Sequence, residues 1–464
     1  SVKKISLASA ISSPRTRNHL PSTMNARSTN IKNITIMGLG QYGGGVGVTR
    51  YLADEYQTAH LTITDLATQD QLADSLSQIN DLITQNKINL RLGEHQLDDF
   101  TTADLVIANP AVPKPWKNQY LLAAQNAHVP ITTEIRLLIE ALPPRTTTIG
   151  VTGSAGKSTT SSMIHHILKN QKHPSHLGGN LGGSLLNNLQ TIHEQDIFIL
   201  ELSSAQLHWL GESIGHQNAP GWSPNIALLT NISPNHLDWH ETLDHYQKSK
   251  ENIFRYQNKS DIAIRAEQID LTKYEKIIAS TQLKIPGNHN KQNALLAAIL
   301  CESAFKINLT TAIESLRSFT GLPHRLQLIL ETDPPNHLRF YNDSKATTPE
   351  ATLLAVRAFP DPAKIHLIAG GYDKKINLTK VSNLAPTLAG LYTIGSTGKR
   401  IAESAHSQNT HYHETLKKAV QSAIPAMKPG DILLLSPASA SWDQFTNFEQ
   451  RGHAFTQLVR RLVK

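Results

Sequence analysis

The chain has 464 residues and a single cysteine, Cys301. That excludes an intrachain disulfide framework and any cysteine-rich metal site, and it points to a reducing, cytoplasmic setting. No apolar run approaches the ~18 residues of a membrane-crossing helix, so no integral membrane segment is expected. Acidic residues are missing from residues 1–30, where Lys3, Lys4, Arg15, Arg17 and Arg27 supply five of the seven net positive charges. Such a leader fits an organellar transit peptide or a disordered tail, and the tail is the simpler reading. The rest of the chain is close to neutral, which removes the case for nucleic-acid binding. With 39% hydrophobic and 17% charged residues, the composition is that of a globular protein of about three domains.

Apolar, β-branched segments alternate with helical patterns throughout, the mark of doubly wound α/β sheets. Ile34–Met37, Leu61–Asp65 and Leu105–Ala108 read as strands of a first unit, with a helix from Val46 to Glu55. The helical stretch Glu134–Leu142 runs into Pro143-Pro144, a natural boundary. Asp196–Glu201 and Ala227–Asn231 read as strands of a second unit, Ile365–Ala369 and Asp431–Leu435 of a third. The expected organisation is a tail at 1–30, a Rossmann-like domain at 31–143, a central P-loop-type parallel-sheet domain at 144–320 and a Rossmann-like domain at 321–464.

The most informative motif follows Thr147–Val151: Thr152-Gly153-Ser154-Ala155-Gly156-Lys157-Ser158-Thr159. A strand running into a Gly-rich turn and a helix start presents backbone N–H groups and a helix dipole to phosphate. Gly153 and Gly156 let the backbone close around the ligand, Lys157 reaches the β/γ-phosphates, and the Ser158 hydroxyl suits Mg²⁺. Val151 stands where the usual G-x-x-x-x-G-K-[ST] pattern has its first glycine, so the match is not strict. A second turn, Gly38-x-Gly40-Gln41-Tyr42-Gly43, follows the first strand, with Asp65 at the end of the next. Read alone, it fits a dinucleotide-dependent oxidoreductase, yet such a turn accepts any pyrophosphate, including that of a UDP-sugar.

In a doubly wound sheet the strand C-termini converge on the ligand, which places Glu201 to hold a Mg²⁺ beside the phosphates. His236, in Pro234-Asn235-His236-Leu237-Asp238, is a second candidate metal ligand. A histidine beside a turn is, on its own, more often a surface residue.

Taken in order, Thr152–Thr159, Gly179–Gly182, Leu200–Leu207, Asn231–Asp238, Gly287–Asn293, Phe319–Arg325, Asn342–Thr347 and Leu434–Gly452 resemble the Mur ligases, the ATP-dependent amino-acid-adding enzymes of peptidoglycan precursor synthesis. The likeness spans roughly residues 31–464. It is strongest to the members that add D-glutamate to UDP-N-acetylmuramoyl-L-alanine through an acyl phosphate. A relative adding L-glutamate or another amino acid is the alternative, and the oxidoreductase a more distant one.

The resemblance implies two Mg²⁺ ions, on Ser158, Glu201, His236 and a carbamylated Lys250. Lys157, His236, Lys250 and Arg325 are the implied catalytic residues. Gly153, Gly156, Ser158, Thr159, Asn290, Asn293, Arg325 and Asp343 would serve ATP. Gly40, Gln41, Tyr42, Asp65, Asn180, Ser203 and Gln206 would face the UDP-sugar. Lys345, Thr347, Lys374, Ser441, Trp442 and Phe448 would face glutamate. A monomer whose domains close on the acyl phosphate is expected. The sequence departs from the family at Ser154-Ala155, where a side-chain contact is expected to be lost, and at Trp442, where a smaller apolar residue is common. It also departs at Gly44, Gly45 and Gly47, which are expected to loosen the first helix start.

Overall fold

The structure, a computed structural model, describes residues 31–40, 43–181, 184–374 and 376–463. It comprises two compact units, residues up to 157 with 172–266, and 158–171 with 267 onward.

The first unit holds two parallel sheets of five strands each. One contains β1 (Asn33–Met37), β2 (His60–Asp65), β3 (Ile88–Leu92), β4 (Leu105–Ala108) and β5 (Ile131–Thr132), in the order β3-β2-β1-β4-β5. Ile36 pairs with Ile63 on one side and Ile107 on the other. All three are buried, and each contributes about 1.5–3 kcal/mol of apolar burial. β1 and β4, the inner strands, are buried along nearly their whole length, whereas β2 and β3 alternate apolar and polar residues. The chain leaves β1 in opposite directions, so the Gly38–Gly43 turn lies at the switch point of the sheet, where ligands bind.

The helix after that turn spans Gly44–Glu55, two residues earlier than expected. Gly45 and Gly47 let this helix approach its neighbours closely, whereas Gly44 faces open space. A Cβ on Gly45 would stand 2.1 Å from the Leu39 carbonyl oxygen, and one on Gly47 2.4 Å from Ser184 Cβ.

The other sheet contains β6 (Thr147–Thr152), β7 (Ser175–Gly179), β8 (Ile197–Glu201), β9 (Ile226–Leu229) and β10 (Ile262–Arg265), in the order β10-β9-β6-β8-β7. Register sets Val151 beside Glu201 and Thr152 beside Leu229, so the loop after β6 emerges between the ends of β8 and β9.

The second unit carries the helix Lys157–Asn170 from its second residue onward, the helix Asn288–Phe305, and a six-stranded sheet. Its strands are β11 (Gln327–Glu331), β12 (Arg339–Asn342), β13 (Ile365–Gly370), β14 (Gly390–Ile394), β15 (Thr410–Tyr412) and β16 (Ile432–Leu435), in the order β11-β12-β16-β13-β14-β15. The edge strand β11 runs antiparallel to β12; the other pairs are parallel. The loops after β12, β13 and β16 therefore leave from one edge of the sheet. Cys301 is buried and its thiol is pushed up to about 12 by burial, leaving it unreactive. Among the described residues, no helix is long and apolar enough to cross a membrane.

Candidate active site

The phosphate loop is held from below by residues that follow β9. Ser154 N–H donates to the Asn231 carbonyl at 2.9 Å. Ala155 N–H donates to Asn231 Oδ1, and Asn231 Nδ2 returns a bond to the Ala155 carbonyl, each at 2.9 Å. Thr230 Oγ1 donates to the same carbonyl. The Ser154 hydroxyl accepts from Ser233 N–H at 2.8 Å and lies 2.7 Å from the Tyr246 hydroxyl. The Ser154-Ala155 departure thus leaves the loop well tied: position 155 is gripped through its backbone, and Ser154 makes its own contacts. Gly153, at φ 152°, has room for no Cβ, since one would lie 2.0 Å from Thr230 Oγ1. Gly153→Ala is expected to cost about 2 kcal/mol or more and to abolish ATP binding, checked by urea unfolding and calorimetric titration.

Two lysines converge on this loop. Lys157 Nζ donates to the Gly153 carbonyl at 2.8 Å, and Lys250 Nζ donates to the same carbonyl at 3.0 Å and to Thr152 Oγ1 at 3.3 Å. Lys250 comes from the helix Leu243–Arg255 and is buried. Burial and the Lys157 charge push its ammonium down to about 7, with Glu201 opposing. Glu201 is buried at the end of β8; Oε1 accepts from Asn180 Nδ2 at 2.9 Å, and Oε2 is buried with no partner among the described residues. His236 is exposed, with a left-handed backbone (φ 52°) and its N–H bonded to Asn235 Oδ1. Burial of part of the ring and the Lys157 charge hold its imidazole below the ordinary histidine range, with Asp238 opposing and Lys250 adding to the depression. Among the described residues, no three His, Cys, Asp or Glu side chains gather as a ready metal cluster.

The segment bearing His236 packs against the loop after β4. Trp239 Nε1 donates to the Pro110 carbonyl, and Trp116 Nε1 and Lys117 Nζ both donate to Glu241. The Trp116 ring lies 5.6 Å from Trp239, 4.4 Å from His245 and 5.4 Å from His208. His240, buried between Ser204 and His245, is pushed down to about 3 by burial and its histidine neighbours.

A cavity of about 550 Å³ in the first unit is lined by Gly38, Gly40, Asn109, Lys157, Asn180, Ser203, Gln206, His236 and Lys250, with others. It joins the first Gly-rich turn to the phosphate loop. Ser203 and Gln206 form a capping box, Gln206 N–H donating to Ser203 Oγ and Ser203 N–H to Gln206 Oε1. Gln41 and Tyr42 lie outside the described residues. Asp65 does not line the cavity: it accepts from Gly40 N–H at 3.0 Å and Ala67 N–H at 2.9 Å. The acid that a dinucleotide's ribose would need is thus engaged in closing the turn. Glu134, which sequence reasoning missed, also lines the cavity, its carboxyl pushed up by burial despite a bond from Ser184. It stands first in its helix, so only tertiary packing could have singled it out.

In the second unit, a cavity of about 260 Å³ is lined by Thr159, His289, Asn290, Arg325, Asp343 and Lys345, with others. Asn293 lies one turn further along the helix of Asn290, and both are buried. Asp343 is buried, accepting from Ser436 Oγ at 2.8 Å and Leu326 N–H at 3.1 Å, and burial pushes it up to about 7.

The loops after β12, β13 and β16 bring forward Lys345, Thr347, Lys374, Ser441 and Trp442, with Phe448 at the start of the last helix. The Ser441 hydroxyl is buried with no partner among the described residues. Beneath them lies Arg451, buried, with its guanidinium lowered to about 10 by burial. It donates to the Ser344 hydroxyl and carbonyl at 3.0 and 2.8 Å and to the Ser439 and Ala440 carbonyls, both at 3.1 Å.

Residues 151–269 match the Mur ligase middle domain and residues 324–439 the Mur ligase glutamate ligase domain. A UDP-N-acetylmuramoylalanine–D-glutamate ligase of Acetivibrio thermocellus is 31% identical over 93% of this chain and 97% of its own. One of the same name from Roseiflexus is 32% identical over 92% and 98%. Among solved structures, the UDP-N-acetylmuramate–alanine ligase of Thermotoga maritima covers 93% of this chain and 100% of its own, with a TM-score of 0.53 at 18% identity, which shows the shared fold. With two matched domains and near-full-length relatives above 30% identity, this chain belongs to the Mur ligase family.

Proposed function

We propose that the chain joins D-glutamate to UDP-N-acetylmuramoyl-L-alanine at the expense of ATP, in the cytoplasm and as a monomer. The observation that supports this reading is the cavity of the first unit, lined by Gly38 and Gly40 of the first turn, Lys157 of the phosphate loop, His236 and Lys250, with Glu201 bonded to the lining residue Asn180. The near-full-length relatives that bear this activity's name support the choice of substrates.

In this reading Lys157 leaves the Gly153 carbonyl for the β/γ-phosphates, and the loop N–H groups hold their oxygens. A carboxylate oxygen of the UDP-muramoyl-alanine bonds to the γ-phosphorus as the bond to ADP breaks. The unprotonated amine of glutamate then attacks the acyl carbon, phosphate leaves, and the nitrogen gives up a proton to solvent or to the departing phosphate. Arg325 would steady the phosphates and Asp343 the ribose, with Asn290 and Asn293 on the adenine side. Asn180, Ser203 and Gln206 would orient the muramoyl-alanine, with Gly40, Gln41, Tyr42 and Asp65 at or behind the uridine diphosphate.

The donor set fits a divalent cation, because Glu201 Oε2 is a buried oxygen with no partner among the described residues. Ser158 and Glu201 would hold one Mg²⁺, and His236 with a carbamylated Lys250 a second. Bound there, Mg²⁺ supplies neutralisation of the phosphate charge. Lys250 suits carbamylation: its amine is held near neutrality, so Nζ attacks CO₂, an N–C bond forms and a proton is released.

The test is phosphate release by the purified chain with Mg²⁺-ATP and UDP-N-acetylmuramoyl-L-alanine, comparing D-glutamate, L-glutamate and no amino acid. Release dependent on D-glutamate, with a product heavier by one glutamyl unit, is expected. Release with L-glutamate alone would change the substrate and keep the chemistry. No release with either would sink the reading.

A further inference from the structure

Both lysines on the amino-acid side of the second unit sit on aromatic rings. Lys345 Nζ lies 5.0 Å from the centre of Phe448, and Lys374 Nζ 5.1 Å from that of Trp442. The Trp442 ring is 5.4 Å from that of Tyr372. Trp442 is 57% exposed and Tyr372 41%, an unusual outlay of aromatic surface on two neighbouring loops.

The backbone beneath them is fixed. Tyr372 N–H donates to the Ala440 carbonyl at 2.9 Å, and Arg451 donates to that same oxygen. The nearest acids in sequence are tied elsewhere: Asp373 meets Arg400 at 2.9 Å, and Asp443 accepts from Ser396 N–H at 2.9 Å. Lys374 Nζ lies over the Trp442 ring, joining the two segments. A ring face attracts an ammonium without neutralising it or consuming its N–H donors, which an acid in that place would do. It also confines a side chain that is otherwise free to sample many rotamers.

We propose that Trp442, braced by Tyr372, positions the Lys374 ammonium for the side-chain carboxylate of the incoming amino acid, and that this pair sets the preference for a dicarboxylate over a neutral side chain. The assignment rests on the ligase reading above. Trp442 and Tyr372 are positioning residues that act through Lys374.

The experiment uses the full chain and amino-acid-dependent phosphate release, with D-glutamate and D-glutamine as acceptors. In W442A the KM for glutamate is expected to rise about fivefold, more than kcat falls. The ratio of kcat/KM for glutamate over glutamine should shrink by a similar factor, and the KM for ATP should stay put. W442F, which keeps a ring face, should retain most of both, and Y372A should fall between. Thermal melts establish that the variants are folded. An unmoved glutamate KM and unmoved ratio in W442A, or a W442F as impaired as W442A, would overturn the positioning role. Wild-type protein that releases no phosphate with glutamate would overturn the ligase reading and this assignment with it. Wild-type activity beside an unmoved W442A overturns this assignment alone.

Discussion

Lys250→Ala is expected to lower kcat by about 10³-fold while leaving the fold intact, since in the proposed mechanism it removes a group that stabilises the phosphate charge. Short carboxylic acids such as acetate or formate should restore part of the activity, because the gap left by the side chain opens beside Thr152 and Gly153 and a carboxylate would stand in for the proposed carbamate. Lys250→Arg should not be rescued, as its guanidinium fills the space and stays charged.

The wild-type protein carries a pH signature of the same group. In the folded chain the unmodified amine releases its proton near 7, whereas in the unfolded chain it holds it to the ordinary lysine range. Between those values the unfolded state binds the extra proton, so this group's contribution to stability climbs with pH across that window. Carbamylation needs the free amine. Protein stripped of CO₂ at pH 6 should therefore regain activity with bicarbonate faster at pH 8. Rates of recovery equal at both pH values, or a wild-type mass and ¹³C spectrum without carbamate under ¹³CO₂, would remove Lys250 from this role.

Arg451→Met is expected to destabilise the second unit by about 3–4 kcal/mol. The substitution keeps most of the volume and removes donors to four acceptors, at Ser344 (hydroxyl and carbonyl), Ser439 and Ala440. Those carbonyls belong to the loops that carry Lys345 and Ser441, so the KM for glutamate should rise alongside. Arg451→Lys keeps the charge but not the planar fork and should recover less than half of the lost stability. Urea unfolding decides the matter: a midpoint in Arg451→Met equal to that of the wild type would mean that the loops are held by something else.

The strands were legible in the sequence because parallel sheets bury both faces. Ile34–Met37, Leu61–Asp65, Asp196–Glu201 and Ile365–Ala369 correspond, within a residue or so, to β1, β2, β8 and β13. Glu201 and the phosphate loop were legible for a related reason: a carboxylate or a glycine turn at a strand's C-terminus is a local pattern. What escaped depends on residues far apart in the chain. Nothing near Asn231 tells that its carboxamide grips Ala155, nor anything near Arg451 that it reaches back to Ser344. The close approach of Leu39 to Gly45 and of Ser184 to Gly47 is likewise invisible in the local sequence. Glu134 and the Trp442–Tyr372 pair likewise acquire meaning only once distant segments meet.

The Trp116–Trp239 cluster gives the chain a built-in optical reporter. Of its five tryptophans, Trp116, Trp209, Trp222 and Trp239 belong to the first unit and Trp442 alone to the second. Trp239 lines the larger cavity, in ring contact with Trp116, so filling that space should alter emission that Trp442 does not share. Subtracting the spectrum of W442F from that of the wild type would isolate the exposed indole beside Lys374. The two ends of the reaction could then be followed by their separate fluorescence, without a label.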